Sequence, residues 1–264
     1  MFTNEDLTNI FHGDIIGKEI ICLDTATSTN DVAMELAARK QNPEGIVVIA
    51  DSQTKGRGRF GRTWISPPGV NCYFTVILRP SVPQYDMTLF TLMAAVAVVS
   101  AIREFTGLKA GIKWPNDILL NSKKTGGILT ESRSARGRIS LMAVGIGINI
   151  NMALNDFPDD IKAGSTSLAA ESGKNFDRVG LLGNILTELE RNYKILLKGN
   201  KGALINDWLR LNSTIGNKVI VKDHDRIISG IAENINESGE LMIKLVSGEI
   251  QTVKAGDVTI LKEN

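Results

Sequence analysis

Residues 55–64 read Lys-Gly-Arg-Gly-Arg-Phe-Gly-Arg-Thr-Trp, and a continuous apolar, β-branched run over 45–50 lies just ahead of them. The run has the length and composition of a buried strand. Gly56, Gly58 and Gly61 formally match the G-x-G-x-x-G of a dinucleotide-binding turn, but that turn opens a helix and needs an acid about 20 residues further on. Here Thr63-Trp64-Ile65-Ser66-Pro67-Pro68 follows, which is no helix, and Leu78-Arg79-Pro80 stands at the downstream position. A Rossmann fold is therefore excluded. What remains is a strand feeding a pliable loop that carries four cations, Lys55, Arg57, Arg59 and Arg62. Glycine lets backbone approach a ligand closely, and guanidinium groups grip phosphate or carboxylate in a bidentate fork. Cations this close repel one another unless an anion compensates them. The loop is expected to wrap a small polyanion.

Further strands are expected over 19–23, 71–78, 110–114, 118–120, 126–132 and 139–149, and helices over 28–40, 86–105, 177–197 and 201–211. Ser28 or Thr29 is expected to cap the first helix, with Asp31 in its first turn and Arg39-Lys40 in its last. From Ser213 the pattern changes to five short strands, over 218–222, 227–235, 241–246, 250–253 and 258–261, separated by turns such as Ser238-Gly239 and Ser247-Gly248. Such spacing predicts a small barrel. The class is α+β: a mixed sheet with helices over 1–212 and a second domain over 213–264.

The 264 residues are 43% hydrophobic and 22% charged, ordinary values for a soluble globular chain. A net charge of +1 makes the cationic loop a local feature, so a nucleic-acid-binding surface is not expected. Cys22 and Cys72 have neither a CxxC pattern nor a histidine partner, which suits a reducing cytoplasm. His12 and His224 lack a triad or zinc context and are expected at the surface. No signal peptide is read at the N-terminus. The apolar stretch 88–102 falls short of the roughly 20 residues that span a bilayer. Asp86 and Arg103 flank it, so it is expected to be a buried helix and no membrane contact is expected.

Three further constellations carry chemistry. Lys113-Trp114-Pro115-Asn116-Asp117 ends a strand in a proline turn whose Asn and Asp oxygens suit a hydrated Mg²⁺, though alone it is equally a capped tight turn. Lys124 leads into Thr125-Gly126-Gly127-Ile128, where it either enters a pocket or is a solvated hairpin lysine. Gly145-Ile146-Gly147-Ile148-Asn149 places glycines inside a strand, a mark of close backbone approach.

Together and in this order, with Ser28-Thr29-Asn30, these motifs resemble the biotin protein ligase family. The matching pieces are Ser28-Thr29-Asn30, QxxGRGRxGRxW from Gln53 to Trp64, KWPND at 113–117, KxGGIL from Lys124 to Leu129 and GIGINI at 145–150. The resemblance implies a catalytic domain like those of biotin ligases and class II aminoacyl-tRNA synthetases, followed by an SH3-like barrel. Fewer than twenty residues precede the first expected strand, so the chain resembles the kind without an N-terminal DNA-binding domain.

The resemblance also implies roles. Ser28, Thr29, Asn30 and Gln53 match the biotin-binding positions, with Arg57 and Gly58 over the biotin tail. Arg59 and Lys124 match the cations between the biotin carboxylate and the α-phosphate, and with Lys113 they are the expected catalytic residues. Arg62, Thr63, Trp64, Asn116 and Asn149, with Arg59, match the ATP side, and Asp117 is the expected Mg²⁺ ligand. The implied reaction makes biotinyl-5′-AMP from biotin and MgATP, then transfers biotin to a lysine of a carboxylase's biotin carboxyl carrier domain. No covalent enzyme intermediate and no tightly bound organic cofactor are needed. A homodimer paired through a sheet edge fits the family as well. A lipoate ligase of the same fold and a non-catalytic biotin-binding protein are the alternatives.

Overall fold

The computed structural model describes residues 2–223 and 226–261, so His224 lies outside the described residues. His12 is exposed, as expected. Helix α1 (Asn4–Ile10) precedes β1 (Glu19–Ala26), α2 (Thr29–Arg39), β2 (Ile46–Gln53) and β3 (Cys72–Leu78). The two-residue β4 (Val82–Pro83), α3 (Met87–Thr106), β5 (Gly111–Lys113), β6 (Asp117–Leu120), β7 (Lys123–Ala135) and β8 (Arg138–Ile148) follow. These strands make one mixed sheet in the order β1-β2-β3-β8-β7-β6-β5, with β4 added beside β8. Only β1 and β2 run parallel, joined by the crossover helix α2.

Alternation along the strands explains how the sheet is covered. Val47 and Ile49 of β2, Phe74 and Val76 of β3, and Val144, Ile146 and Ile148 of β8 face the larger core, which holds α3. Ile46, Val48, Leu141 and Ala143 face the other way, onto Ala33 and Ala37 of α2. Burial on both faces is why the 45–50 run reads as continuously apolar. Helix α2 covers only part of its face. Continuing β8 by twos beyond Ala143 gives Gly145 and Gly147, and there the functional site begins.

Helix α3 is the one helix among the described residues long and apolar enough to cross a membrane, yet 67% of its most apolar stretch is buried inside the fold. It packs against α6 (Arg178–Leu197) and α7 (Lys201–Leu211), as a core helix does. Between β8 and α6, the stretch left irregular by sequence forms the short helices α4 (Asp159–Lys162) and α5 (Leu168–Ser172).

Several boundaries differ from expectation. Helix α1 was not anticipated. Strands β1 and β2 run on to Ala26 and Gln53, because their parallel register continues as far as the pair Ala26–Gln53. Ser28 holds the N-cap position of α2 but its side chain makes no capping bond. The Gln53 side chain does that work instead, its Oε1 accepting from the Thr29 N–H at 2.8 Å.

The C-terminal strands β9 (Lys218–Asp223), β10 (Arg226–Ile235), β11 (Leu241–Lys244), β12 (Ile250–Val253) and β13 (Asp257–Ile260) form an antiparallel sheet in the order β12-β11-β10-β9-β13. It is pinned to the larger sheet by Trp114, which is fully buried. The Trp114 Nε1 donates to Gly239 O at 2.9 Å and its backbone N–H to Thr214 Oγ1 at 2.9 Å. The aromatic residue of the KWPND turn therefore holds the two sheets together.

Candidate functional site

A cavity of ≈ 250 Å³ opens on the sheet face beyond α2. Its floor is set by register. Thr75 of β3, Gly145 of β8 and Leu129 of β7 are cross-strand neighbours, as are Gly147 and Gly127. Neighbours in one row share a face. The absent side chain at 145 admits the Asn30 amide, whose Oδ1 would stand 2.1 Å from a Cβ there. Gly147 admits the Trp64 indole in the same way.

The first end of the cavity is a buried hydrogen-bonded cluster. The Thr75 hydroxyl donates to Asn30 Oδ1 at 2.7 Å and lies 2.9 Å from Thr29 Oγ1. Thr29 Oγ1 in turn donates to Gln53 Oε1 at 3.3 Å, and Gln53 Nε2 donates to Ser66 Oγ at 3.0 Å. Asn30 Nδ2 donates to Leu129 O at 3.2 Å and to Glu131 Oε2 at 2.7 Å. Asn30 thus has both ends of its amide engaged and acts on the pocket by holding α2 against β7. Ser28 is buried and lines the cavity. Thr75 went unnoticed in the sequence, although a lone threonine inside Cys-Tyr-Phe-Thr-Val-Ile-Leu was the available signal.

Residues 55–64 form a folded-back flap over this floor. Gly58 N–H donates to Arg62 O at 2.7 Å and Trp64 N–H to Gly56 O at 2.9 Å. Phe60 takes a left-handed conformation at the tip (φ 55°) and is 55% exposed, its ring 4.8 Å from the Arg59 guanidinium. The flap is tied down on two sides. Arg57 pairs with Asp31 and Glu131, each at 2.8 Å. Arg62 pairs with Asp257 on the small domain. Between them Arg59 Nη1 donates to Asn116 Oδ1 at 3.0 Å and to Gly256 O at 3.2 Å. Burial depresses the pKa of Arg59, with Arg62 adding to the effect and Asp117 opposing it. A guanidinium nonetheless stays charged. Neither Asp257 nor Glu131 was legible beforehand, because both belong to distant segments.

At the second end, Lys124 Nζ lies 2.5 Å from Asp117 Oδ1 and 5.6 Å from the centre of the Trp64 ring. Lys113 Nζ lies 2.9 Å from Asp117 Oδ2. Burial pushes the Asp117 carboxyl up, but Lys124 and Lys113 outweigh it and hold the group below the usual carboxylate range. Asn116 is fixed by its own donation to Ile128 O at 3.0 Å. Asn149 donates from Nδ2 to Thr166 O at 3.1 Å, which gives the Thr166-Ser167-Leu168 stretch a supporting place behind the wall. Thr63 lines the cavity, as do Phe157, Ile161 and Ser165 from the stretch that sequence left irregular.

The expectation that Asp117 holds Mg²⁺ is revised. Both of its carboxylate oxygens are taken by ammonium groups, and no cluster of three or more metal-ligating side chains exists among the described residues. The donor set does not fit a protein-held cation. All the residues given a role from sequence, Asp117 included, line this one cavity except Lys113, which meets it through its pair with Asp117.

A cation-rich flap over a pocket with one buried polar end suits a ligase that activates a small carboxylic acid, and the biotin/lipoate ligases are such a class. Residues 22–149 match the biotin/lipoate A/B protein ligase family, and residues 214–261 match the biotin protein ligase C-terminal domain. The bifunctional ligase/repressor BirA of Bacillus subtilis is 38% identical over 247 residues, covering 94% of this chain and 75% of the relative. The biotin–[acetyl-CoA-carboxylase] ligase of Paracoccus denitrificans is 33% identical over 238 residues, covering 88% of this chain and 96% of the relative. Among solved structures, the biotin protein ligase of Aquifex aeolicus in complex with biotin and ATP superposes with a TM-score of 0.75 at 29% identity, covering 93% of this chain and 100% of that one. The chain belongs to the biotin protein ligase family.

Proposed function

We propose that this protein activates biotin with ATP and transfers it to a lysine of a biotin carboxyl carrier domain in the cytoplasm. The observation that carries the reading is the position of Lys124 at the second end of the cavity, over the Trp64 ring and paired with Asp117. A carboxylate and a phosphate brought together there repel each other, and fixed cations aimed at that point supply catalysis by electrostatics and positioning.

In this reading Ser28, Thr29 and Gln53 bind the ureido end of biotin, with Asn30 holding their frame. Buried donors of this kind reject analogues that leave them unpaired. Trp64 walls the adenine, and Arg62, Thr63, Asn116 and Asn149 serve the rest of the nucleotide. A biotin carboxylate oxygen attacks the α-phosphorus, the bond to the β-phosphate breaks, and pyrophosphate leaves with the electron pair. Lys124 and Arg59 meet the charge that develops, while Asp117, itself held by Lys113, fixes the Lys124 ammonium. Mg²⁺ enters as part of MgATP. The mixed anhydride stays under the flap, away from water that would hydrolyse it. The acceptor lysine amine then attacks the acyl carbon and AMP leaves. Gly58 lets the flap backbone lie over the biotin tail, and Arg57, tied to Asp31 and Glu131, serves as its latch. We place the domain boundary at 212/213.

Incubation with biotin, MgATP and an apo carrier domain, followed by intact mass measurement, tests the reading. The carrier is expected to gain one biotinyl group only when ATP is present. An unmodified carrier, or equal modification with lipoate, would contradict it.

A further inference from the structure

A second groove, of ≈ 860 Å³, lies between the two domains. It runs along β5, the hairpin at Asn121-Ser122, the 213–218 segment and β13, and meets the cavity described above at Arg62, Asp117 and Lys124, which line both. Its charge is one-sided. Arg62, Lys109, Lys113, Lys124 and Lys218 line it; Asp117 is shared by Lys113 and Lys124, and Arg62 is paired with Asp257, which leaves the lining net positive. Lys109 and Lys218 are exposed, and neither is paired with a carboxylate among the described residues. Lys109 stands just ahead of β5 and Lys218 opens β9.

We propose that this groove is the release path for pyrophosphate, with Lys109 and Lys218 as its outer binding residues. The inference rests on the adenylating reading above. In-line displacement at the α-phosphorus sends the leaving group away from the attacking carboxylate. Biotin lies toward the Thr29 and Gln53 end, so the leaving group departs past Lys124, on the side where the groove begins. The groove does not suit the other traffic at this site. An acceptor lysine arrives as a cation and is repelled by lining of this sign, whereas a small polyanion is drawn along it. Position and charge therefore both assign the groove to the departing anion.

Biotin-dependent exchange of labelled pyrophosphate into ATP tests this on the full chain with Lys109→Ala, Lys218→Ala and the double variant. Both side chains are at the surface, so folding is expected to survive and a melting curve checks it. The double variant should need about tenfold more pyrophosphate for half-maximal exchange, a size consistent with losing two exposed cations. Lys109→Arg with Lys218→Arg should restore the wild-type requirement, and biotin affinity measured without nucleotide should not move. An unchanged pyrophosphate requirement in the double variant would overturn the assignment. So would slower transfer from preformed biotinyl-5′-AMP to the carrier with pyrophosphate handling intact, because the groove would then belong to the carrier. If the wild-type chain shows no biotin-dependent exchange, the adenylating reading fails and takes this inference with it.

Discussion

Gly147 carries the indole of Trp64: a Cβ at 147 would stand 2.5 Å from the indole nitrogen and 2.6 Å from Cε2. No side chain fits between the strand and the ring. Trp64 Nε1 is buried there without a hydrogen-bond partner among the described residues, so the residue serves as a surface.

Gly147→Ala should therefore push the indole off the sheet, with an overpacking cost of about 1–3 kcal/mol. The KM for ATP is expected to rise about tenfold, as expected if roughly 1.4 kcal/mol of adenine contact is lost. Biotin affinity, set at the other end of the cavity, should stay within about twofold. Steady-state kinetics beside calorimetric biotin titration checks both, and an equal loss of the two affinities would remove Trp64 from the nucleotide side.

Arg59 bridges the large sheet and the small domain through Asn116 and Gly256, yet it belongs to the flap. Arg59→Ala should lower the rate of adenylate formation by at least about 100-fold, the size seen when one charge-stabilising donor is removed. The Tm should fall by only about 2–4 °C, the shift that about 1 kcal/mol produces in a chain of this size, because two hydrogen bonds are lost and no core packing is. A variant that melts normally and makes adenylate at the wild-type rate would refute the assignment.

Asp117 offers a test by pH. Its folded carboxyl titrates below the ordinary value, so the unfolded chain binds that proton first as pH falls. The stability it contributes is then present above the ordinary carboxylate pKa and drains away as pH drops through the folded value. Asp117→Asn, which leaves two lysines unpaired, should cost about 2–4 kcal/mol at pH 7. Urea unfolding should show the two proteins converging as pH falls below about 4. A gap that stays constant across this range would mean that the pairing is not the cause.

The flap is held by ion pairs that remain partly in water: the Arg57 side chain is 40% exposed and that of Arg62 is 61% exposed. Such pairs are weak and screened by salt. Amides over 55–64 should exchange at least about tenfold more slowly once biotin and ATP are bound, as lids do on closing. Those of β8 should not change, and raising salt without ligand should speed the flap alone. Equal protection with and without ligand would argue that the flap is rigid.

The cavity was legible because motif glycines and cations carry their chemistry locally. Gly145 and Gly147 in a strand announce close approach before any partner is known, and the partners are Asn30 and Trp64. Other features left no local signal. The Gln53 side chain caps α2 across 24 residues. Asp257 and Gly256 meet the flap from the end of the chain, and Asp117 faces two lysines instead of a metal.

Periodicity, turn chemistry and charge clustering are properties of neighbouring residues, so the chain alone determined its longer strands and helices, though not α1, α4 or α5, and the ligand class its flap would grip. Which lysines share a carboxylate, and which cations stay unpaired along the groove, depends on contacts between segments remote in sequence. Those contacts form only when the two sheets close on Trp114, and that closure belongs to the tertiary structure alone.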